Sequence, residues 1–126
     1  MGTVKLTTEN FDEIAQGEGI VLVDFWAAWC APCRRFAPVY EQSAERHSDI
    51  VFAKVDTEAE DELAQRFGIS SIPTIMAIRD GVIVFAEPGA LPEPVLENVI
   101  EQVRGLDMDD VRRRLGSEAT EPGSEA

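Results

Sequence analysis

Both cysteines of the chain, Cys30 and Cys33, lie in one short stretch, VDFWAAWCAPCRRF, at residues 23–36. Two thiols three residues apart at the start of a helix share one face of that helix, where a disulfide can close between them. A thiol pair of this kind exchanges two electrons with another disulfide through a mixed-disulfide intermediate. Thiol–disulfide exchange is therefore the first chemistry that the sequence suggests.

The position of the pair at a helix start favours a reactive thiolate. The first-turn N–H groups and the helix dipole stabilise a negative charge there, which lowers the pKa of a thiol. Cys30 lies nearest the helix end and is the expected nucleophile, while Cys33 lies inside the first turn and is the expected resolving thiol. Pro32 suits an early helical position. Arg34 and Arg35 add positive charge, which solvent screens.

Other uses of the two cysteines remain open at this point. A structural disulfide closing so short a loop would add little stability. A zinc site normally needs four ligands, and the single histidine, His47, lies a full helix away. A cluster shared across a dimer has no support in the sequence. The spacing after a buried strand favours a redox pair, with no metal bound.

The elements that position the pair can be predicted from periodicity. The apolar runs IVLVDFW at 20–26 and IVFAKVD at 50–56 predict strands buried on both faces, as in a parallel sheet. The segment PTIMAIRDGVIVFAEPG at 73–89 predicts two antiparallel strands joined by a tight turn at Asp80 and Gly81. A charged residue, Asp24, interrupts the first of these runs.

Helical patterns separate the strands. Apolar residues recur at helical spacing within 33–47 and 96–103. A capping-box pattern predicts a helix start at Thr57, with Glu60 three residues on, and a similar pattern begins at Asn10. The alternation predicts an α/β fold in three α/β/α layers, with a central mixed β-sheet flanked by helices on both faces.

The chain of 126 residues is long enough for one domain with an ordinary core. We expect this domain at 1–105, a short helical extension at 106–116 and a disordered acidic tail at 117–126, which has no large apolar residue. We also expect a monomer.

Charge and hydropathy exclude some functions. The net charge of −13 argues against binding to nucleic acid or to an anionic membrane surface, because both require clustered cations. No apolar run approaches the roughly 18 residues of a membrane span. The first residues, MGTVKLTTEN, have no apolar segment of the signal-peptide kind, so the expected location is the cytoplasm.

Several motifs together resemble the thioredoxin family over about residues 3–103. They are VDFWAAWCAPC, AKVD, SIPT, the hairpin DG and GAL. The resemblance implies the thioredoxin fold and the reduction of disulfides in protein substrates through a reversible Cys30–Cys33 disulfide. It implies no bound cofactor, since NADPH supplies the electrons through the partner enzyme thioredoxin reductase.

The resemblance also assigns roles near the cysteines. Asp24 matches the family's buried aspartate, which is expected to accept a proton from Cys33, and Lys54 matches the lysine that tunes it. The alternatives are a structural carboxylate at the strand end and a lysine whose ammonium reaches solvent.

A substrate-binding surface follows from the same match. Pro73 corresponds to the family's cis-proline, which would leave the backbone of Ile72 free to pair with an extended substrate. The other predicted contacts are Trp29, Pro32, Gly89 and Ala90. The alternatives are a strand-starting proline, a core tryptophan and a turn glycine.

Two departures from the family pattern affect the prediction. Ala31 replaces the usual glycine between the cysteines, which leaves the reduction potential open, and Arg34 replaces the usual lysine. Two other functions also remain: a more oxidising, isomerase-like or oxidase-like protein, and a binding subunit that does not use its thiols.

Overall fold

A five-stranded mixed sheet forms the centre of the protein. The structure is a computed structural model that describes the backbone of residues 2–125 and the side chains of residues 2–116. The strands in chain order are β1 Val4–Lys5, β2 Ile20–Trp26, β3 Val51–Asp56, β4 Thr74–Arg79 and β5 Val82–Pro88. In space their order is β1-β3-β2-β4-β5, which places β2 at the centre.

The pairing of the strands confirms the predicted mixed sheet. β2 runs parallel to β3 and antiparallel to β4, and β5 closes the hairpin onto β4. Six of the seven residues of β2 are buried, which explains its continuous apolar sequence. The hairpin turn has positive φ angles at Asp80 and Gly81, as expected for a two-residue turn of this kind.

Helices cover both faces of the sheet in the predicted three layers. They are α1 Phe11–Ala15, α2 Ala31–Arg46, α3 Asp61–Arg66, α4 Glu93–Arg104 and α5 Met108–Glu125. Phe11 of α1 and Leu63 of α3 pack in one core cluster with Val23 and Val55. Tyr40 of α2 and other residues of α2 and α4 pack in a second cluster on the opposite face.

One predicted helix start is wrong, and the other is in place but lacks its predicted side-chain cap. α3 begins at Asp61 rather than Thr57, because the Thr57 hydroxyl donates a hydrogen bond to the carbonyl of Trp26 at 3.1 Å instead of capping a helix. Asn10 precedes α1 but does not cap it, because its Oδ1 accepts from the backbone N–H of Thr7 at 2.7 Å. Tertiary and turn contacts outcompete the local capping pattern at both positions.

The C-terminal helix extends the domain. The backbone N–H of Asp110 donates to Oδ1 of Asp107 at 3.2 Å, which caps α5. Met108 is buried, and Arg112 lies 3.8 Å from Asp80 in the β4–β5 turn. The backbone of 117–125 belongs to α5 in the structure, whereas the sequence predicted a disordered tail at 117–126; the side chains of this segment lie outside the described residues.

Arg79 at the end of β4 satisfies the C-terminal end of α4. Its Nη1 donates to the carbonyls of Val103, Arg104 and Leu106 at 2.7, 3.0 and 2.9 Å. The last carbonyls of a helix have no partner within the helix, so this guanidinium replaces water at that end. It also fixes α4 against the sheet.

We expect Arg79→Met to lower the free energy of unfolding by about 1–3 kcal/mol, because it removes the side-chain donor that three carbonyls share. Urea unfolding followed by circular dichroism measures the loss. Arg113→Met is the control, since it removes only an exposed ion pair with Asp110 and should leave the midpoint nearly unchanged. Equal midpoints for the two variants would contradict the capping role.

Candidate active site

The two cysteines are joined in a disulfide at the start of α2. Cys30 is the N-cap residue, with an extended backbone, and its Sγ accepts a hydrogen bond from the backbone N–H of Cys33 at 3.2 Å. Both cysteines are buried, with 4% and 3% exposure. In the dithiol form the same N–H and the helix dipole would stabilise a thiolate at Cys30.

The segment before β4 lies against the disulfide. The peptide bond between Ile72 and Pro73 is cis, as the resemblance implied. The carbonyl oxygen of Ile72 is 3.7 Å from Sγ of Cys30, and Ile72 packs against the cluster of Ala27 and the two cysteines. Pro73 is buried, so Ile72, which is partly exposed, offers the accessible surface here.

The loop after β5 joins this region through the backbone. The N–H of Gly89 donates to the carbonyl of Pro73 at 2.7 Å. Gly89 has a φ of 114°, a conformation that favours glycine. Gly89 and the following Ala90 are exposed, and so is Pro32 in the first turn of α2. Residues predicted from separate motifs therefore meet at one edge of the sheet.

Trp29 is a surface residue rather than a core residue. It is 67% exposed, and its Nε1 donates to Oε2 of Glu58 at 3.1 Å. Sequence reasoning missed Glu58. Because parallel strands end at the same edge of a sheet, the loop after β3 must lie beside the loop after β2, and this rule could have identified it.

Asp24 is a buried carboxyl group in the middle of the sheet. It is 1% exposed, and neither Oδ1 nor Oδ2 has a hydrogen-bond partner within the described residues. Burial raises the pKa of Asp24 to about 7, although the positive charge of Lys54 works in the opposite direction. A group with this pKa exchanges protons at neutral pH.

Two neighbours define the electrostatic environment of Asp24. Lys54 is its register partner on β3, and its Nζ lies 4.8 Å from the ring centroid of Trp26. Tyr40 of α2 is fully buried and donates its hydroxyl to the carbonyl of Ala53 at 2.8 Å. Burial and the charge of Asp24 raise the pKa of Tyr40, so the phenol stays neutral. The sequence indicated only that Tyr40 lies on the apolar face of α2.

Residues 2–116 contain no group of three or more His, Cys, Asp or Glu side chains arranged to hold a metal ion. None of the helices described is long and apolar enough to cross a membrane.

Comparisons with known proteins agree with this geometry. The family model for thioredoxin matches residues 2–102. The chain is 58% identical over 121 residues to a protein named putative thioredoxin 2 from Streptomyces coelicolor, covering 96% of this chain and 90% of that protein. It is 44% identical to a thioredoxin from Alicyclobacillus acidocaldarius, covering 80% of this chain and 97% of that protein.

A solved structure has the same fold. A thioredoxin structure from Plasmodium falciparum superposes with a TM-score of 0.74 at 35% identity, covering 79% of this chain and 98% of that one. The fold and the disulfide at the start of α2 define a protein of the thiol–disulfide oxidoreductase class. The chain belongs to the thioredoxin family.

The raised pKa of Asp24 predicts a specific pH dependence of stability. The unfolded chain releases this proton near pH 4, whereas the folded protein holds it until about pH 7. Stability is therefore lost as pH rises through this window. The free energy of unfolding of Asp24→Asn relative to wild type should rise by on the order of 4 kcal/mol between pH 4 and 8.

Urea unfolding of both proteins at several pH values tests this, because the contributions of all other groups cancel in the difference. Asp49→Asn is the control: the hydrogen bond from Arg104 lowers the pKa of Asp49, so its contribution is lost only as pH falls below about 4 and its difference from wild type should stay nearly flat between pH 4 and 8. A difference for Asp24→Asn that stays flat across the window would show that Asp24 titrates normally.

Proposed function

We propose that this protein reduces disulfide bonds in protein substrates, the activity of the family to which it belongs. The observation that carries the proposal is the N–H of Cys33 directed at Sγ of Cys30 at the N-cap of α2. This arrangement favours a thiolate at Cys30. The thiolate attacks one sulfur of the substrate disulfide, breaks that bond and forms a mixed disulfide, while the departing substrate sulfur takes up a proton.

The second step returns the substrate as a dithiol. Cys33 loses its proton and attacks the sulfur of Cys30, which breaks the mixed disulfide and leaves the Cys30–Cys33 disulfide. Two electrons have then passed to the substrate. We infer that thioredoxin reductase, using NADPH, returns two electrons to the pair, so that the protein acts as an electron carrier and needs no bound cofactor.

Asp24 is the proposed acceptor of the proton from Cys33. A pKa of about 7 suits a group that must take up and release a proton near neutrality. Lys54, its partner on β3, favours the charged carboxylate and so holds its pKa below the value that burial alone would set. Lys54 is a positioning residue in this scheme.

The proposed substrate surface surrounds Cys30. Trp29, Pro32, Gly89 and Ala90 contribute exposed groups. Ile72 contributes its partly exposed side chain, and Pro73 places the Ile72 carbonyl beside Sγ of Cys30. We propose that an extended segment of the substrate lies along this edge with its disulfide over Cys30. A dithiol donor of this kind functions in a reducing compartment, and we propose the cytoplasm and a monomer.

Single cysteine variants test the order of the two thiols. Cys33→Ser should accumulate a covalent mixed disulfide with a disulfide-containing protein such as insulin, because Cys30 can attack but nothing resolves the product. Cys30→Ser should form almost none, because Cys33 lies inside the first turn of α2 and its sulfur lacks the N-cap hydrogen bond that favours a thiolate at Cys30. Non-reducing electrophoresis and mass spectrometry identify the linked residue.

The same experiment can contradict the proposal. Trapping through Cys33 rather than Cys30 would reverse the assigned roles. Full activity in cells of a variant lacking both cysteines would favour a binding subunit. Failure of wild type with thioredoxin reductase and NADPH to reduce insulin would contradict the reducing direction.

Asp24→Asn tests the proton step. Resolution of the mixed disulfide should slow by roughly 10²-fold at pH 7, the lower end of general-base effects, while attack by Cys30 changes little. The wild-type resolution rate should rise through about pH 7 as Asp24 ionises, and the variant should lose this step. Rapid-quench kinetics across pH measure both. Asp61→Asn, at the exposed start of α3, is the control. An unchanged pH profile in Asp24→Asn would assign the carboxyl a structural role.

A further inference from the structure

An apolar groove lies beside the disulfide. Its segment 90–92 follows β5, whereas Glu58 follows β3, and these two strands lie on opposite sides of β2 and β4. One wall is α2, through Pro32, Phe36 and Val39, and the other is the segment 90–92 before α4. Its volume is about 280 Å³, and it is open to solvent. Arg35 stands on its edge, and we call this feature the Arg35 groove.

The groove is continuous with the proposed substrate surface. Pro32 separates the two cysteines in the sequence and lines the groove. Ala90 lines it from the other side and follows Gly89, whose N–H is bonded to the carbonyl of Pro73. A polypeptide whose disulfide lies over Cys30 therefore has the groove within reach of its neighbouring residues.

Arg35 differs from most cations of this acidic chain because it has no counter-charge. Seven of the nine arginines form ion pairs with carboxylates. Arg34 forms none, and its Nη1 donates to the carbonyl of Ala28 at 2.8 Å. Arg35 is exposed and makes no ion pair, hydrogen bond or ring contact with any described residue.

The start of α2 adds to the positive electrostatic potential of Arg35. The first turn of α2 contains no acidic residue, and its N-terminal end carries the positive end of the helix dipole. Glu58 already accepts a hydrogen bond from Trp29, and Glu93, which follows the groove segment 90–92, is paired with Arg46 at 2.9 Å. In a chain of net charge −13, the edge of the groove is thus a local positive site. Such a site favours an acidic partner group.

We propose that the Arg35 groove binds the substrate segment next to the attacked cysteine, with an apolar side chain in the groove and an acidic side chain facing Arg35. This inference rests on the proposed function and names the substrates that the site prefers. A second copy of the chain is a poorer occupant, because two molecules of charge −13 repel each other.

Disulfide peptides that differ in one side chain test the proposal. Each carries a leucine near its half-cystine, followed by Glu, Gln or Lys, and kcat/KM is measured at low salt with the protein kept reduced. Wild type should prefer the Glu peptide over the Gln peptide by about threefold, as for an exposed ion pair, and should disfavour the Lys peptide. The preference should fade at about 1 M salt, where the screening length is about 3 Å.

Variants at Arg35 identify the group responsible. Arg35→Gln should bring the ratio between the Glu and Gln peptides close to one, and Arg35→Glu should invert it in favour of Lys. Arg113→Gln changes the net charge equally but lies on α5, and it should keep the wild-type ratio. Comparing peptides within one variant cancels any effect of the substitution on Cys30, since every peptide meets the same thiolate.

Equal kcat/KM for the three peptides with wild type, or a preference that survives Arg35→Glu, overturns this inference and leaves the proposed function intact. Failure of wild type to reduce any peptide defeats the proposed function, and the inference falls with it. Self-association of wild type that Arg35→Glu abolishes, without a preference among peptides, would assign the groove to a second copy.

Discussion

The hydrogen bond from the N–H of Cys33 to Sγ of Cys30 is the contact on which the chemistry of this protein depends. It exists because β2 ends beside the start of α2, so that Cys30 occupies the N-cap position where a helix has unsatisfied donors. Sγ of Cys30 accepts the backbone N–H that the usual N-cap side chains accept through an oxygen. Core packing fixes the position of the β2–α2 connection. β2 is the central strand, and α2 packs over it through Phe36 and Tyr40.

Asp24 lies in that same central strand, where a charge opposes stability. A carboxyl group without a hydrogen-bond partner in a buried strand destabilises the folded protein whenever it is ionised. Lys54 offsets part of this cost but cannot remove it, since burial is the larger influence on the pKa of Asp24. A carboxyl group that destabilises the fold, in the strand preceding the cysteine-bearing helix α2, is typical of residues that serve chemistry rather than folding.

Charge is distributed unevenly around the disulfide. Glu58 and Trp29 form a polar contact on one side, whereas Arg35 borders an apolar groove on the other. A protein of net charge −13 repels most acidic partners at a distance, so a local cation acts only after close approach. Selection among substrates would then depend on residues close to the attacked cysteine rather than on the overall charge of the partner.

The sequence by itself determined the thiol pair, the central strands and the alternation of strands and helices. These rest on local signals: the spacing of Cys30 and Cys33, apolar runs, and the turn at Asp80. Tertiary structure alone decided the start of α3, the partner of Trp29 and the accessible edge of the Arg35 groove. Each joins residues from separate elements, and a local pattern carries no information about which distant group satisfies a hydrogen bond or leaves a charge unpaired.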